Sequence, residues 1–161
     1  MRGIWVLGCA LAIGLAGCEE GVNPRVVTRF NTDAEMTGNL PSNPLAGGVI
    51  TSWIDRQGGT MSTMFGNDVA VKYARGSADA NYPVGAVLQV VTWAQQEDPR
   101  WFGGNIPKGT RAVEFVTVTG PGVTEYQRYE GSPLKKVAGV QGVDPASRAA
   151  ALMGMRAAVM P

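Results

Sequence analysis

Tyr82-Pro83-Val84-Gly85-Ala86-Val87-Leu88-Gln89-Val90-Val91-Thr92-Trp93 is the stretch on which the fold turns. Its first four residues break the chain, because proline and glycine punctuate regular structure. From Ala86 to Trp93 the run is almost wholly apolar and rich in β-branched side chains, which predicts a strand near the centre of a sheet, buried on both faces. Gln89 is the exception. A side-chain amide inside such a strand has to find a hydrogen-bond partner.

Upstream, Val49-Ile50-Thr51-Ser52-Trp53-Ile54 reads as a strand, Arg56-Gln57-Gly58-Gly59 as a turn and Thr60 to Phe65 as the returning arm of a hairpin. Asn67 or Asp68 can cap a short helix through Val69, Ala70, Lys72 and Tyr73 to about Arg75, with Gly76 as its stop. Downstream, Ala94 to Lys108 reads as a long loop carrying Trp101, Phe102, Gly103, Gly104 and Pro107, and a loop of that length in a small domain is often functional. Arg111 to Thr119 and Thr124 to Tyr129 are two further strands joined by Gly120-Pro121-Gly122, and a second loop runs to Val143. Asp144 as N-cap and Pro145 at the first helical position open an alanine-rich helix to about Val159, with Ala151, Leu152, Met155, Ala158 and Val159 on one face. Strands joined by tight turns, with helices set between and after them, predict an α+β domain: an antiparallel sheet of about five strands with a short helix and a C-terminal helix packed on it.

The N-terminal end has a different character. Met1-Arg2 is followed by an uncharged stretch, Gly3 to Gly17, and then by Cys18-Glu19-Glu20, the order of a signal peptide. About 20 apolar residues are needed to span a bilayer as a helix, and this glycine-containing stretch falls short. Leu15-Ala16-Gly17-Cys18 matches the lipobox pattern, which predicts cleavage after Gly17 and a lipid anchor, diacylglyceryl and palmitate, on Cys18. The expected address is the cell envelope on its periplasmic side. Glu19 in place of aspartate favours the outer membrane if the host is Gram-negative. The reading therefore divides the chain into residues 1–17 as lipoprotein signal peptide, 18–48 as a lipidated tether and irregular arm punctuated by Pro24, Pro41 and Pro44, and 49–161 as the folded domain.

Cleavage would leave about 144 residues, enough for one domain with a proper core. Of 14 basic and 13 acidic side chains only Arg2 leaves with the signal, and the rest are scattered without runs. No footprint for nucleic acid is present. The chain contains no histidine, and its two cysteines, Cys9 and Cys18, fall in the signal and at the lipid site. A Ser-His-Asp triad, a histidine-based zinc or copper site and a C-x-x-C-H haem attachment are thereby excluded.

Several segments together carry a family resemblance: Met61-Ser62-Thr63-Met64-Phe65-Gly66-Asn67-Asp68-Val69-Ala70-Val71-Lys72, Tyr82-Pro83-Val84-Gly85-Ala86-Val87-Leu88, Trp101-Phe102 with Ile106-Pro107, and Val113-Glu114-Phe115-Val116. From about Trp53 onward the chain resembles the cytochrome P-460 domain family. That resemblance implies a periplasmic, mainly antiparallel-sheet protein, commonly a homodimer, and in haem-bearing members a c-type haem that oxidises hydroxylamine or binds small gases. The departure falls where that chemistry sits. Val143-Asp144-Pro145-Ala146-Ser147-Arg148 stands where the C-x-x-C-H motif belongs, and Val84 and Val90 stand where an acidic residue and a cross-linking lysine belong. Covalent c-type haem is excluded, and no cofactor is expected. Non-covalent haem is left open.

A sheet of that kind can keep a pocket, and the candidates to line it are Trp53, Tyr73, Gln89, Trp93, Trp101, Phe102 and Glu114. The competing reading makes them ordinary core and sheet residues. Met61, Met64, Met153 and Met155 are thioether donors for copper(I) or haem iron, or else gap fillers of the core. Glu97, Asp98 and Glu114 are the carboxylates available for acid-base work. Three classes stay open: an envelope lipoprotein binding a small apolar or planar ligand or a protein partner; a haem or gas-binding protein with non-covalent haem held by Met, Tyr or Lys, or a hydroxylamine-type oxidoreductase as the resemblance to haem-bearing family members implies; and a cofactor-free enzyme, for which no constellation is found.

Overall fold

A computed structural model describes residues 31–77 and 79–158. The stretch expected to be a signal peptide, Cys18 and the first part of the expected tether lie outside the described residues. Six strands form one antiparallel meander in the order of the chain: β1 (Gly48–Asp55), β2 (Thr60–Gly66), β3 (Val87–Glu97), β4 (Asn105–Gly120), β5 (Val123–Glu130) and β6 (Lys135–Val137). Helix α1 (Asp68–Gly76) stands between β2 and β3, and α2 (Pro145–Met153) follows β6. The antiparallel sheet with two short helices agrees with the expected α+β arrangement. The strand count is six rather than five. The added strand, β6, is three residues long and pairs Arg128 with Val137 and Glu130 with Lys135. So short an edge segment has no alternation of its own to read.

β3 lies between β2 and β4, as its composition predicts. Leu88 and Val90 are about 1% exposed and belong to one apolar cluster with Ile50, Met64, Val116, Val118, Ala70 of α1, and Ala149 and Leu152 of α2. Val91 and Trp93 belong to a second cluster, with Phe65, Val113, Phe115, Tyr129 and Leu134. Alternate residues of one strand thus enter two cores, the geometry that a continuous apolar run serves.

The second core is roofed by the arm. Ala34, Met36 and Leu40 pack against it, the Trp93 indole Nε1–H donates to the Ala34 carbonyl at 3.1 Å, and the Leu134 N–H donates to the Thr37 carbonyl at 2.7 Å. Residues 32–34 and 44–46 form single 3-10 turns, so this stretch is irregular as expected, yet it is part of the packed domain. Gly38 makes the close approach. It has φ +140°, and a Cβ there would stand 2.6 Å from the Leu134 carbonyl oxygen.

At the other face, Gly66 lets α1 settle on the sheet, since a Cβ would meet Ile50 Cδ1 at 2.7 Å and Ala70 Cβ at 2.9 Å. Asn67 is the residue that caps α1. Its Oδ1 accepts from the N–H groups of Ala70 (3.0 Å) and Val87 (3.2 Å), and its Nδ2 donates to the Gly85 carbonyl (2.8 Å). One side chain therefore joins the helix start to the start of β3. Asn67→Ala should destabilise the domain by about 1–2 kcal/mol, as measured by urea unfolding. A change under a few tenths would show that the three bonds are replaced by water at no cost.

Two further expectations are corrected. The long loop read over 94–108 is mostly strand: β3 runs on to Glu97 and β4 begins at Asn105, so a tight connection remains, closed by Asp98 N–H to Gly104 O at 2.9 Å and Gly104 N–H to Trp101 O at 2.9 Å. Polar Gln95 and Gln96 hide a strand from a hydrophobicity reading, but the ladder to Pro107 and Ile106 forms nonetheless. The C-terminal helix stops at Met153, where the Gly154 N–H closes on the carbonyl of Ala150. Its buried residues are Ala149 and Leu152, whereas Ala151 is exposed. Met155 and Ala157 still pack on the first core from a non-helical tail, and the Ala158 N–H donates to the Ile50 carbonyl at 2.8 Å. Val159 lies outside the described residues.

Candidate functional site

A cleft of about 500 Å³ lies between α2, the β4–β5 turn and the segment before β3. Ala146, Ala150 and Met153 form the helix wall; Val118, Pro121, Gly122 and Thr124 form the turn wall; Ala80 to Val84 close the third side. The lining is mainly apolar, which suits a small apolar ligand. Tyr82 is the polar handle at its edge. Its ring stands 4.9 Å from that of Tyr73, and burial, then the neighbouring Tyr73, raise its phenol above the usual tyrosine value. Tyr73 in turn donates from its hydroxyl to Asp79, a bond that holds the Asp79 carboxyl low and the Tyr73 phenol high.

What holds α2 over the sheet is a charged cluster around Glu114. This carboxylate, on β4, is 1% exposed. It receives Arg148 of α2 in a two-pronged pair, Nε to Oε1 at 2.8 Å and Nη2 to Oε2 at 2.9 Å, the Tyr126 hydroxyl at 2.5 Å, and Arg128 Nη1 at 3.3 Å. Arg128 is shared with Glu130 at 2.6 Å. Burial alone would push the Glu114 pKa up, but the Arg148 and Tyr126 hydrogen bonds and the charges of Arg148 and Arg128 outweigh it and hold the carboxyl below its ordinary value. Burial and the same carboxylate push the Tyr126 phenol up to about 12. Arg148 thus ties Glu114 to the helix that walls the cleft, while Tyr126 and Arg128 of β5 complete the cluster within the sheet. The lowered pKa keeps this carboxylate ionised near neutral pH, so it has no proton to give there.

The seven residues singled out from the sequence do not converge. Trp53, half-buried on β1, and Tyr73, half-buried on α1, border the first core. Glu114 faces α2 from the same side of the sheet. Gln89 and Trp93 project to the opposite face, beneath the arm, where Gln89 Nε2 donates to the Ser42 hydroxyl at 3.2 Å. Gln89 Oε1 has no partner among the described residues. Trp101 and Phe102 lie at the exposed tip of the β3–β4 hairpin, 73% and 105% exposed. None of the seven lines the cleft.

The methionines separate in the same way. Met64 is fully buried, Met61 packs under the arm, Met155 packs on the first core, and Met153 lines the cleft. Glu97 and Asp98 flank the hairpin turn, where Asp98 Oδ1 accepts from the Arg100 N–H at 2.8 Å. No group of three or more acidic, histidine or cysteine side chains gathers as a metal site among the described residues.

The cleft walls were legible only as punctuation. Tyr82-Pro83-Val84 and Pro121-Gly122 are chain breaks in sequence, and small alanines on α2 leave room beside them. In comparisons with known proteins, no family model matches the chain and no curated protein matches it.

Proposed function

We propose that this chain is a cell-envelope lipoprotein, anchored through lipid on Cys18, whose haem-less cytochrome P-460-like domain binds a small apolar ligand in the α2 cleft without catalysing a reaction on it. The observation that carries the ligand part is the cleft itself: about 500 Å³, walled by alanine, valine, proline and methionine, with the Tyr82 phenol at the rim. The anchor part is supported by the lipobox, Leu15-Ala16-Gly17-Cys18. No helix among the described residues is long and apolar enough to cross a membrane.

Haem fits this donor set poorly. The domain offers neither thiols for thioether bonds nor an imidazole, and the donors at the cleft are the Met153 thioether and the Tyr82 hydroxyl. A phenol ligates iron as phenolate, and burial holds Tyr82 in its protonated form.

Two titrations test the reading, with the anionic aromatic dye 8-anilinonaphthalene-1-sulfonate, whose rings seek apolar clefts, and with haemin. The dye should bind saturably with one site per chain, and Ala150→Trp, which fills the cleft from an exposed helix position, should weaken it at least tenfold at unchanged unfolding midpoint. Haemin should give no saturable Soret band. A saturable band that disappears in Met153→Leu or Tyr82→Phe would replace this proposal with a non-covalent haem protein. Dye binding indifferent to Ala150→Trp would remove the cleft from it.

A further inference from the structure

The two most exposed large apolar side chains of the described domain are neighbours. Trp101 is 73% exposed and Phe102 105%, both in the turn that joins β3 to β4. They contribute little to either core, and leaving an indole and a phenyl ring in water is unfavourable by about 25 cal/mol per Å² of apolar surface. The turn that presents them is well made. Asp98 and Gly104 close it by a backbone hydrogen bond at 2.9 Å, the Asp98 carboxylate accepts from the Arg100 N–H, and Gly103 takes φ +75°. A formed turn that projects two adjacent aromatics into solvent has the character of a contact surface.

The path of the chain says what it contacts. Residue 31, where the described domain begins, lies against the base of this same hairpin. Asn31 Nδ2 donates to the Pro107 carbonyl on β4 at 2.5 Å, and Gln96 Nε2 on β3 reaches the Asp33 carboxylate at 3.5 Å. Beyond the Gln96–Ile106 pair there is one further pair, Glu97 with Asn105, and then the tight turn that carries the aromatics. From Cys18 to Asn31 is about 13 residues, which span at most roughly 45 Å. The segment leading to the anchor therefore joins the domain at the end that carries the aromatics, with length to spare for the tip to reach the surface that holds the lipid.

We infer that the Trp101-Phe102 tip inserts into the headgroup region of the membrane to which Cys18 is anchored, giving the domain a second point of attachment and a fixed orientation. Trp and Phe suit that layer: the rings seek the acyl boundary, and the indole N–H keeps a polar partner. The charges nearest the tip are Glu97, Asp98 and Arg100, with Asp33 against Gln96 at the hairpin base, so nothing there calls for an anionic lipid. The diacylglyceryl anchor already carries more than one acyl chain, so the tip adds orientation rather than attachment strength. This inference rests on the lipid anchor proposed above.

The test uses the full processed chain in phosphatidylcholine vesicles whose acyl chains carry bromine near the headgroup. Tryptophan emission should fall relative to unbrominated vesicles, and Trp101→Phe should abolish that loss, since Trp53 and Trp93 lie within the domain. Intact mass reads the lipid on Cys18 separately. A lipidated protein whose quenching is unaltered by Trp101→Phe, or whose Trp101 stays equally open to aqueous iodide with and without vesicles, overturns the inserted tip and leaves the anchor standing. A mass without lipid overturns the anchor on which the inference rests. Shielding of Trp101 from iodide that grows with protein concentration in the absence of vesicles overturns it in favour of a second copy.

Discussion

Glu114→Ala is expected to destabilise the domain by about 2–4 kcal/mol, measured by urea unfolding at pH 7, because it leaves the partly buried Arg148 and Arg128 side chains facing each other with no carboxylate between them. The cost comes from the orphaned partners more than from the lost attraction. Glu114→Leu combined with Arg128→Met and Arg148→Met should therefore recover most of it, since replacing a whole buried charged group by apolar side chains is often close to neutral. The pH dependence follows from the directions of the two shifts. The folded pKa of Glu114 lies below its unfolded value, so its contribution is present above the ordinary carboxylate range and is lost as pH falls through the lowered folded value. Tyr126 is raised to about 12, so its contribution is present below the ordinary tyrosine value of about 10 and is lost as pH rises through about 12. The gap between the native protein and Glu114→Ala should be flat between those limits and narrow outside them. A gap below about 1 kcal/mol at pH 7 would mean that water already screens the cluster.

Leu152→Ala should cost about 2–5 kcal/mol and should also abolish dye binding in the cleft. Leu152 is 1% exposed and, with Ala149, is how α2 enters the first core. Removing its branched end leaves a void that only a shift of the helix can fill, and that shift moves Ala146, Ala150 and Met153 together. The contrast with Ala150→Trp is the useful one. Both variants should lose the dye, but only Leu152→Ala should lose stability. Dye affinity within about twofold of the native value in Leu152→Ala would show that the cleft does not depend on the seating of α2.

These two residues also mark the boundary of what could be read beforehand. Glu114 was legible as a noteworthy carboxylate in an apolar strand, but Arg148 is 34 positions away and nothing local relates them. Leu152 was legible as apolar on an amphipathic helix. The buried face of that helix takes Ala149 with Leu152 in place of Ala151, because the helix ends at Met153 and the residues beyond continue as tail. Gln89 was expected to need a partner, and it has one in Ser42, a residue of the arm read as irregular chain.

From the sequence by itself came the central strand β3, the β1–β2 hairpin, the Asn67-capped helix, the start of α2 at Asp144 and Pro145, the antiparallel class, and the absence of histidine from the chemistry. Each of these rests on signals between near neighbours: alternation, a cap three residues from its partner, a glycine in a turn, or a residue count. Only the tertiary structure decided that the arm roofs one face of the sheet, that β3 and β4 continue through the polar residues into a tight aromatic turn, that Glu114 fastens α2, and that a cleft opens where none of the seven pocket candidates stands. Those outcomes depend on pairs tens of residues apart, such as Trp93 with Ala34 and Glu114 with Arg148. Such pairs are selected by the burial and hydrogen-bond satisfaction of the whole domain, a condition that no short window of sequence contains.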